Sequence, residues 1–175
     1  MAWRSAIGTI TPPPPNTFSA STVAQGAALA HLGDCAVCHT AHAGQDFAGG
    51  LAIKTPFGLV YSSNITPDVA QGIGGWSQTA FVRAMRKGVA RNGAHLYPAF
   101  PYDHYTLTTD GDLADLYAFL MTRKPVAIAP PANRLIPPLG FRPVLAAWKL
   151  LFLKQGVVAA DPKQSQAWNR GRYLV

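Results

Sequence analysis

Two thiols and an imidazole stand within five residues of this chain, in Cys35-Ala36-Val37-Cys38-His39. The spacing C-x-x-C-H suits one task above others. Two thiols three positions apart can each add across one vinyl group of a haem, which gives two thioether bonds. A histidine directly after the second thiol then falls beneath the ring, where an imidazole nitrogen can bind the iron. Other chemistry fits only in part. A redox dithiol also uses C-x-x-C, but within a βαβ pattern, and none is visible here. Tetrahedral zinc needs four ligands. No second cysteine pair exists, and His42 is a lone extra candidate. The motif therefore predicts one covalent haem c, held by Cys35 and Cys38, with His39 as the proximal iron ligand.

The elements that must position this motif are helical. A first helix is expected from about Ser21 or Thr22 to Leu32. Val23, Ala27, Ala30 and His31 give it a rough apolar stripe, Gly26 lets another helix approach closely, and Gly33 ends it. Residues 40–75 are rich in Gly, Thr, Asn and Pro without helical period, and read as a long loop wrapping the haem. Turn signals fall within it at Thr55-Pro56-Phe57-Gly58 and Asn64-Ile65-Thr66-Pro67-Asp68. A second helix starts at Ser77 as N-cap and runs through Phe81, Val82 and Met85 to Gly88. A loop from Asn92 to Tyr105 leads to a third helix, capped by Thr109 and ending at Met121 or Thr122. Asp112 stands three residues after the cap, a capping-box-like spacing. Leu113, Leu116, Tyr117 and Leu120 form the buried stripe. The expected fold is all-α, a class I cytochrome c pattern with long haem-wrapping loops and a Pro-rich C-terminal extension.

Length and composition bound the rest. The chain has 175 residues, enough for one domain with extensions. Ten of its 15 prolines gather at 12–15, 125–138 and 143, which marks linker or surface-hugging segments. The reading is therefore a Pro-rich approach segment over 1–20, a haem domain over 21–125, and an extension over 126–175. Residues 144–153 make a short apolar helix, too short to span a bilayer and interrupted by Lys149. It packs on the domain or a partner, or touches a membrane surface. The formal net charge is +7, but the positive residues are scattered. That argues against nucleic acid, and suits an acidic redox partner, an anionic membrane surface or a solvated basic face. Haem attachment to C-x-x-C-H implies a periplasmic site, while Met1 to Ser5 has no signal-peptide form. Arg170-Gly171-Arg172-Tyr173-Leu174-Val175 is shaped like Gln25-Gly26-Ala27-Ala28-Leu29-Ala30, and suggests the opening helix of a second haem domain.

Several strings occur together in order: Gly33-Asp34-Cys35-Ala36-Val37-Cys38-His39-Thr40, Thr55-Pro56-Phe57-Gly58, Asn64-Ile65-Thr66-Pro67-Asp68, Gly72-Ile73-Gly74-Gly75-Trp76-Ser77 and Leu96-Tyr97-Pro98-Ala99-Phe100-Pro101-Tyr102. Ala118-Phe119-Leu120-Met121-Thr122 and the stretch from Trp168 to Val175 follow. Over residues 20–175 the chain resembles the first haem domain of the three-haem cytochrome c subunits of membrane-associated bacterial dehydrogenases. These serve alcohol, gluconate, fructose and aldehyde dehydrogenases, and the cytochrome part of nicotinate- or isoquinoline-type molybdenum hydroxylases is a close relative. The resemblance implies electron transfer from a dehydrogenase subunit through successive haems to quinone or a terminal oxidase. It implies no substrate chemistry of the chain's own, a periplasmic and membrane-associated complex, and other haem domains as partners.

One departure touches the iron. Many relatives carry methionine, the second axial ligand, where this chain has Phe100. Of the three methionines, Met1 is terminal, Met121 lies at the far end of the last helix, and Met85 is the best placed. His95 and His104 are the alternatives. An iron left open would instead suit a small-molecule-binding or sensor module. Tyr61, Asn64 and Trp76 stand where small cytochromes place propionate donors, although core packing also accounts for Tyr61 and Trp76. Phe57, Leu59, Phe81 and Phe100 are expected to line the ring.

Overall fold

The computed structural model describes residues 4–174; Met1, Ala2, Trp3 and Val175 lie outside the described residues. Helix α1, Ala20–Leu32, opens where the Ser19 hydroxyl accepts from the Thr22 amide. This is the ordinary way to satisfy an orphan N–H of a first turn. The apolar stripe holds for Val23, Gly26, Ala27 and Ala30, which are buried or half-buried, but His31 is exposed. The chain then passes through Gly33 into α2, Cys35–His39, a single turn that carries the whole motif.

Residues 40–75, expected as a long loop, contain more order than their composition suggests. Strands β1, Ala52–Thr55, and β2, Gly58–Tyr61, form an antiparallel hairpin around the predicted turn. Helix α3, Gln78–Lys87, starts where Ser77 accepts from the Ala80 amide and stops at Gly88. Gly88 sits at φ 56°, a left-handed cap that suits a residue without Cβ. A short turn, α4, Tyr102–Tyr105, precedes α5, Asp110–Met121. Thr109 caps α5 through the Asp112 amide, and its hydroxyl bonds the Asp112 carboxylate.

The core sits where α1 crosses α5. Gly26 is the crossing point: a Cβ there would stand 2.0 Å from the Asp115 carbonyl oxygen and 2.8 Å from the Phe119 Cβ. Phe81, Met85, Leu113, Leu116, Tyr117, Phe119 and Leu120 fill the space beside it, so α3 closes the core from a third side. Tyr117 of α5 donates to the Trp76 carbonyl at 2.8 Å and fixes the entry to α3.

The terminal segments are attached rather than loose. The approach segment is pinned by Ile7 N–H to the Arg91 carbonyl and Ile10 N–H to the Gly75 carbonyl, and it ends in a 3-10 turn over Pro15–Thr17. Beyond α5 the proline-broken stretch contributes a third strand, β3, Arg134–Leu135, which pairs antiparallel with β2. Helix α6, Pro143–Phe152, follows. Its Lys149 does not merely interrupt an apolar run. It is buried, and its ammonium donates to the last carbonyls of α3, at Lys87 (3.0 Å) and Gly88. A cation at a helix C-terminus complements the carbonyl end of the dipole. Helix α7, Gln166–Leu174, docks through Arg170 and Tyr173 on the Asp112 carboxylate. No helix among the described residues is long and apolar enough to cross a membrane.

Candidate functional site

The motif faces a cavity of about 360 Å³ between α2, the hairpin, α3 and the loop from Ala90 to Phe100. Cys35 and His39 line it; Cys38 is exposed beside them. Burial pushes the Cys35 thiol up to about 11, with its own backbone N–H opposing and the Cys38 and Asp34 charges adding. A redox dithiol needs a thiolate at neutral pH, so this environment disfavours that chemistry. Both thiols are free, as addition to vinyl groups requires.

His39 is oriented by the chain itself. Its Nδ1 lies 2.6 Å from the Ser63 carbonyl oxygen. A carbonyl can only accept, so Nδ1 carries the proton and donates. That fixes the tautomer with its lone pair on Nε2, the arrangement in which a ligating imidazole is held by its other nitrogen. Burial lowers the His39 pKa, against the opposing effect of the Ser63 hydrogen bond, and keeps the ring neutral.

The wall supplied by α3 consists of Phe81, Ala84 and Met85, one face at helical spacing. Ile73, Trp76, Leu116 and Leu120 extend the apolar surface. Met85 is thus buried and presented to the same cavity as His39. The two histidine alternatives are not. His95 is buried but lines a different cavity, with its Nδ1 3.1 Å from the Lys149 ammonium. His104 is exposed and pairs with Asp103. Met121 is buried in the core and does not line the cavity. Phe100 lines it and stacks on Tyr105, with ring centroids 5.3 Å apart.

Other expected pocket residues divide. Tyr61 and Trp76 line the cavity. Asn64 lines it too, but its amide is spent within the protein: Nδ2 donates to the Val126 and Ile128 carbonyls, and Oδ1 accepts from the Thr66 N–H and hydroxyl. Phe57 does not reach the cavity; it stands at the hairpin tip, 52% exposed, because the turn directs it outward. Leu59 is likewise absent from the lining. Sequence reasoning missed Ser63, whose backbone rather than side chain acts. It also missed Tyr97, Asn133 and Arg142, which come together only through the fold.

These residues fit a covalently attached haem. Two free thiols flank a neutral imidazole with a directed lone pair, a buried thioether shares its cavity, and the remaining lining is mostly apolar.

The family model described as cytochrome c matches residues 23–124. The chain is similar to a nicotinate dehydrogenase subunit of Pseudomonas putida, 50% identical over 175 residues, covering 100% of this chain and 15% of that protein. It is similar to the fructose dehydrogenase cytochrome subunit of Gluconobacter japonicus, 43% identical over 168 residues, covering 94% of this chain and 35% of that protein. The cytochrome c subunit of the quinone alcohol dehydrogenase of Gluconobacter oxydans is 42% identical over 155 residues, covering 87% and 32%. The chain therefore spans a minor part of the length of each of these relatives.

Proposed function

This chain belongs to the cytochrome c family, and from that premise we propose that it is an electron-transfer haem domain working for a dehydrogenase. The observation that carries the reading is the His39 ring, held at Nδ1 by the Ser63 carbonyl so that its lone pair stays on Nε2, in the lining of a cavity that Cys35 shares. The group, when bound, supplies an iron that gains and loses one electron. The chain's residues do the rest. Cys35 and Cys38 would anchor the ring covalently, and His39 would hold the iron from one side. Met85 would supply the second ligand from α3, which argues against an open iron of the sensor kind. Thioether ligation favours the ferrous state relative to bis-imidazole. The apolar walls from Phe81, Leu116 and Leu120 disfavour the extra charge of the ferric state. The α1–α5 crossing at Gly26 and the capped ends of α3 keep these groups in place as the charge changes.

The fold is read as class I, with residues 21–125 as the haem domain. The electron source is read as a dehydrogenase catalytic subunit, and the acceptors as further haems, quinone or an oxidase in a periplasmic, membrane-associated complex. The names of the relatives support this reading. The experiment is expression in a host able to mature c-type haem, followed by acid-acetone extraction. The expected result is haem that stays with the polypeptide after unfolding, at one per chain. A colourless polypeptide overturns the proposal.

A further inference from the structure

The family model ends at residue 124, yet the cavity that holds the motif does not. The segment from Val126 to Phe152 runs back across the domain and is stitched to it at every stage. Thr66 Oγ1 accepts from the Val126 N–H at 3.1 Å, and Asn64 Nδ2 donates to Val126 and Ile128 at 2.7 and 3.0 Å. Asn133 Oδ1 accepts from the Tyr61 N–H at 2.8 Å, β3 pairs with β2, and Lys149 caps α3. This is a strap, not a linker.

The strap brings one cation to the cavity. Arg142 lines it, and of the cavity's lining residues it alone carries a fixed charge. One of its nitrogens donates to the His95 carbonyl at 2.5 Å, and its guanidinium lies 4.9 Å from the Tyr97 ring centroid. Among the described residues the ion pairs are Arg86 with Asp110, His104 with Asp103 and Arg170 with Asp112, so Arg142 has no carboxylate partner. A guanidinium has five N–H donors in a fork that matches a carboxylate. A half-buried cation beside an apolar cavity calls for an anion. Much of the polar lining is gathered at the same place: Tyr61, Ser63, Tyr97, Asn133 and Arg142 also line the adjoining outer cavity, whereas the apolar Phe81, Met85 and Leu116 do not. A haem is a ligand of this polarity, apolar around most of its rim with two carboxylates on one edge.

We infer that the strap is part of the haem site, and that Arg142 provides the counter-charge for a haem propionate. The inference rests on the haem reading above. Arg142 is then a positioning and tuning residue, not an iron ligand. A fixed positive charge near the iron favours the reduced state, so its removal lowers the midpoint potential.

The test is a spectroelectrochemical titration of the full haem-loaded chain, with Arg142→Gln, Arg142→Lys and Arg134→Gln. Arg134 is an exposed residue on the same strap, so its variant removes equal charge away from the cavity. Arg142→Gln is expected to move the ferric-to-ferrous ratio at fixed poise several-fold toward ferric, where tenfold corresponds to about 59 mV for one electron. Arg142→Lys should recover most of that shift, and Arg134→Gln should move it far less. If Arg142→Gln keeps the parent potential, or shifts it no more than Arg134→Gln does, the residue is only a latch on His95 and the inference falls. If Arg142→Gln loads no haem while Arg142→Lys loads it, the need for the charge is supported directly. A parent chain without covalent haem overturns the proposed function and this inference together; a loaded variant with unmoved potential overturns the inference alone.

Discussion

The Nδ1 of His39 lies 2.6 Å from the carbonyl oxygen of Ser63, across 24 residues of chain. The acceptor is backbone, so the bond decides the tautomer whatever side chain residue 63 carries. It also ties α2 to the segment that leaves the hairpin. Replacing His39 by Gly should leave the two thioether anchors in place and remove the proximal ligand. The expected spectrum is high-spin iron, returned toward low-spin by added imidazole. A low-spin spectrum unchanged in His39→Gly would show that another residue holds the iron.

Met85 invites a test that separates ligand from packing. Leucine is close to methionine in volume, so Met85→Leu should cost less than about 1.5 kcal/mol in a well-packed site. As ligand, Met85 also sets the iron's electronics. The variant should lose the sulfur-to-iron charge-transfer band at the red edge of the visible spectrum, and its potential should change. Retention of that band in a folded Met85→Leu protein would assign the sulfur elsewhere and return Met85 to the core.

Gly26 makes the α1–α5 crossing. Its substitution by Ala would place a methyl group 2.0 Å from a backbone oxygen of α5, which no rotamer change can relieve. Gly26→Ala should therefore cost about 3 kcal/mol, the upper end of ordinary overpacking. Denaturant unfolding of the haem-loaded chain measures this. A loss below about 1 kcal/mol would mean that the crossing can widen freely, contrary to close packing at this point.

What can be read in the sequence is local. Ser77 and Gly88 announce the two ends of α3 and Thr109 the start of α5, because capping needs only a few neighbouring residues, and they cap those helices in the structure. Gly26 is legible as a small residue on an apolar stripe, and the C-x-x-C-H chemistry is carried by five consecutive residues. The hairpin is not legible. Ala52-Ile53-Lys54-Thr55 is a four-residue strand with weak alternation, and its pairing depends on β2 and β3 together. Lys149 reads as an interruption in an apolar helix, since its partners at Lys87 and Gly88 lie about sixty positions away. Arg142 is hidden in a proline-rich stretch 47 residues from His95. His31 fits the α1 stripe on spacing alone, yet faces solvent.

Asn64 holds the start of the strap. Its side chain is almost fully buried and serves four partners: the Val126 and Ile128 carbonyls, the Thr66 amide and the Thr66 hydroxyl. Asn64→Ala would leave these groups without it. An orphaned buried partner costs about 1–3 kcal/mol, and water can repay part of that near the surface. The expected loss is about 2–4 kcal/mol in global stability, together with faster amide exchange in residues 126–136 than in α5. Equal protection of both segments would show that the strap is held without Asn64.

Asp112 joins α7 to α5, and its protonation sets the pH at which that contact fails. Burial alone would raise its carboxyl, but hydrogen bonds from Arg170, Tyr173 and Thr109 outweigh burial and bring it below its ordinary value. When α7 leaves, the carboxyl returns toward the ordinary value of about 4. A group lowered on docking contributes stability above that ordinary value and loses it as pH falls through the lowered one. The contact is therefore intact at neutral pH and released in acid. Hydrogen bonds to a charged group contribute about 1.5–3 kcal/mol when shielded, and the half-exposed Arg170 reduces that toward the lower end. NMR of the haem-loaded chain should show the Tyr173 ring signals moving as pH falls below about 4. Asp112→Asn should place the same signals near their acid positions already at neutral pH, while the signals of α3 stay where they were. If Asp112→Asn leaves Tyr173 as in the parent at neutral pH, the carboxylate charge is not what holds α7, and the acid release predicted here should not occur.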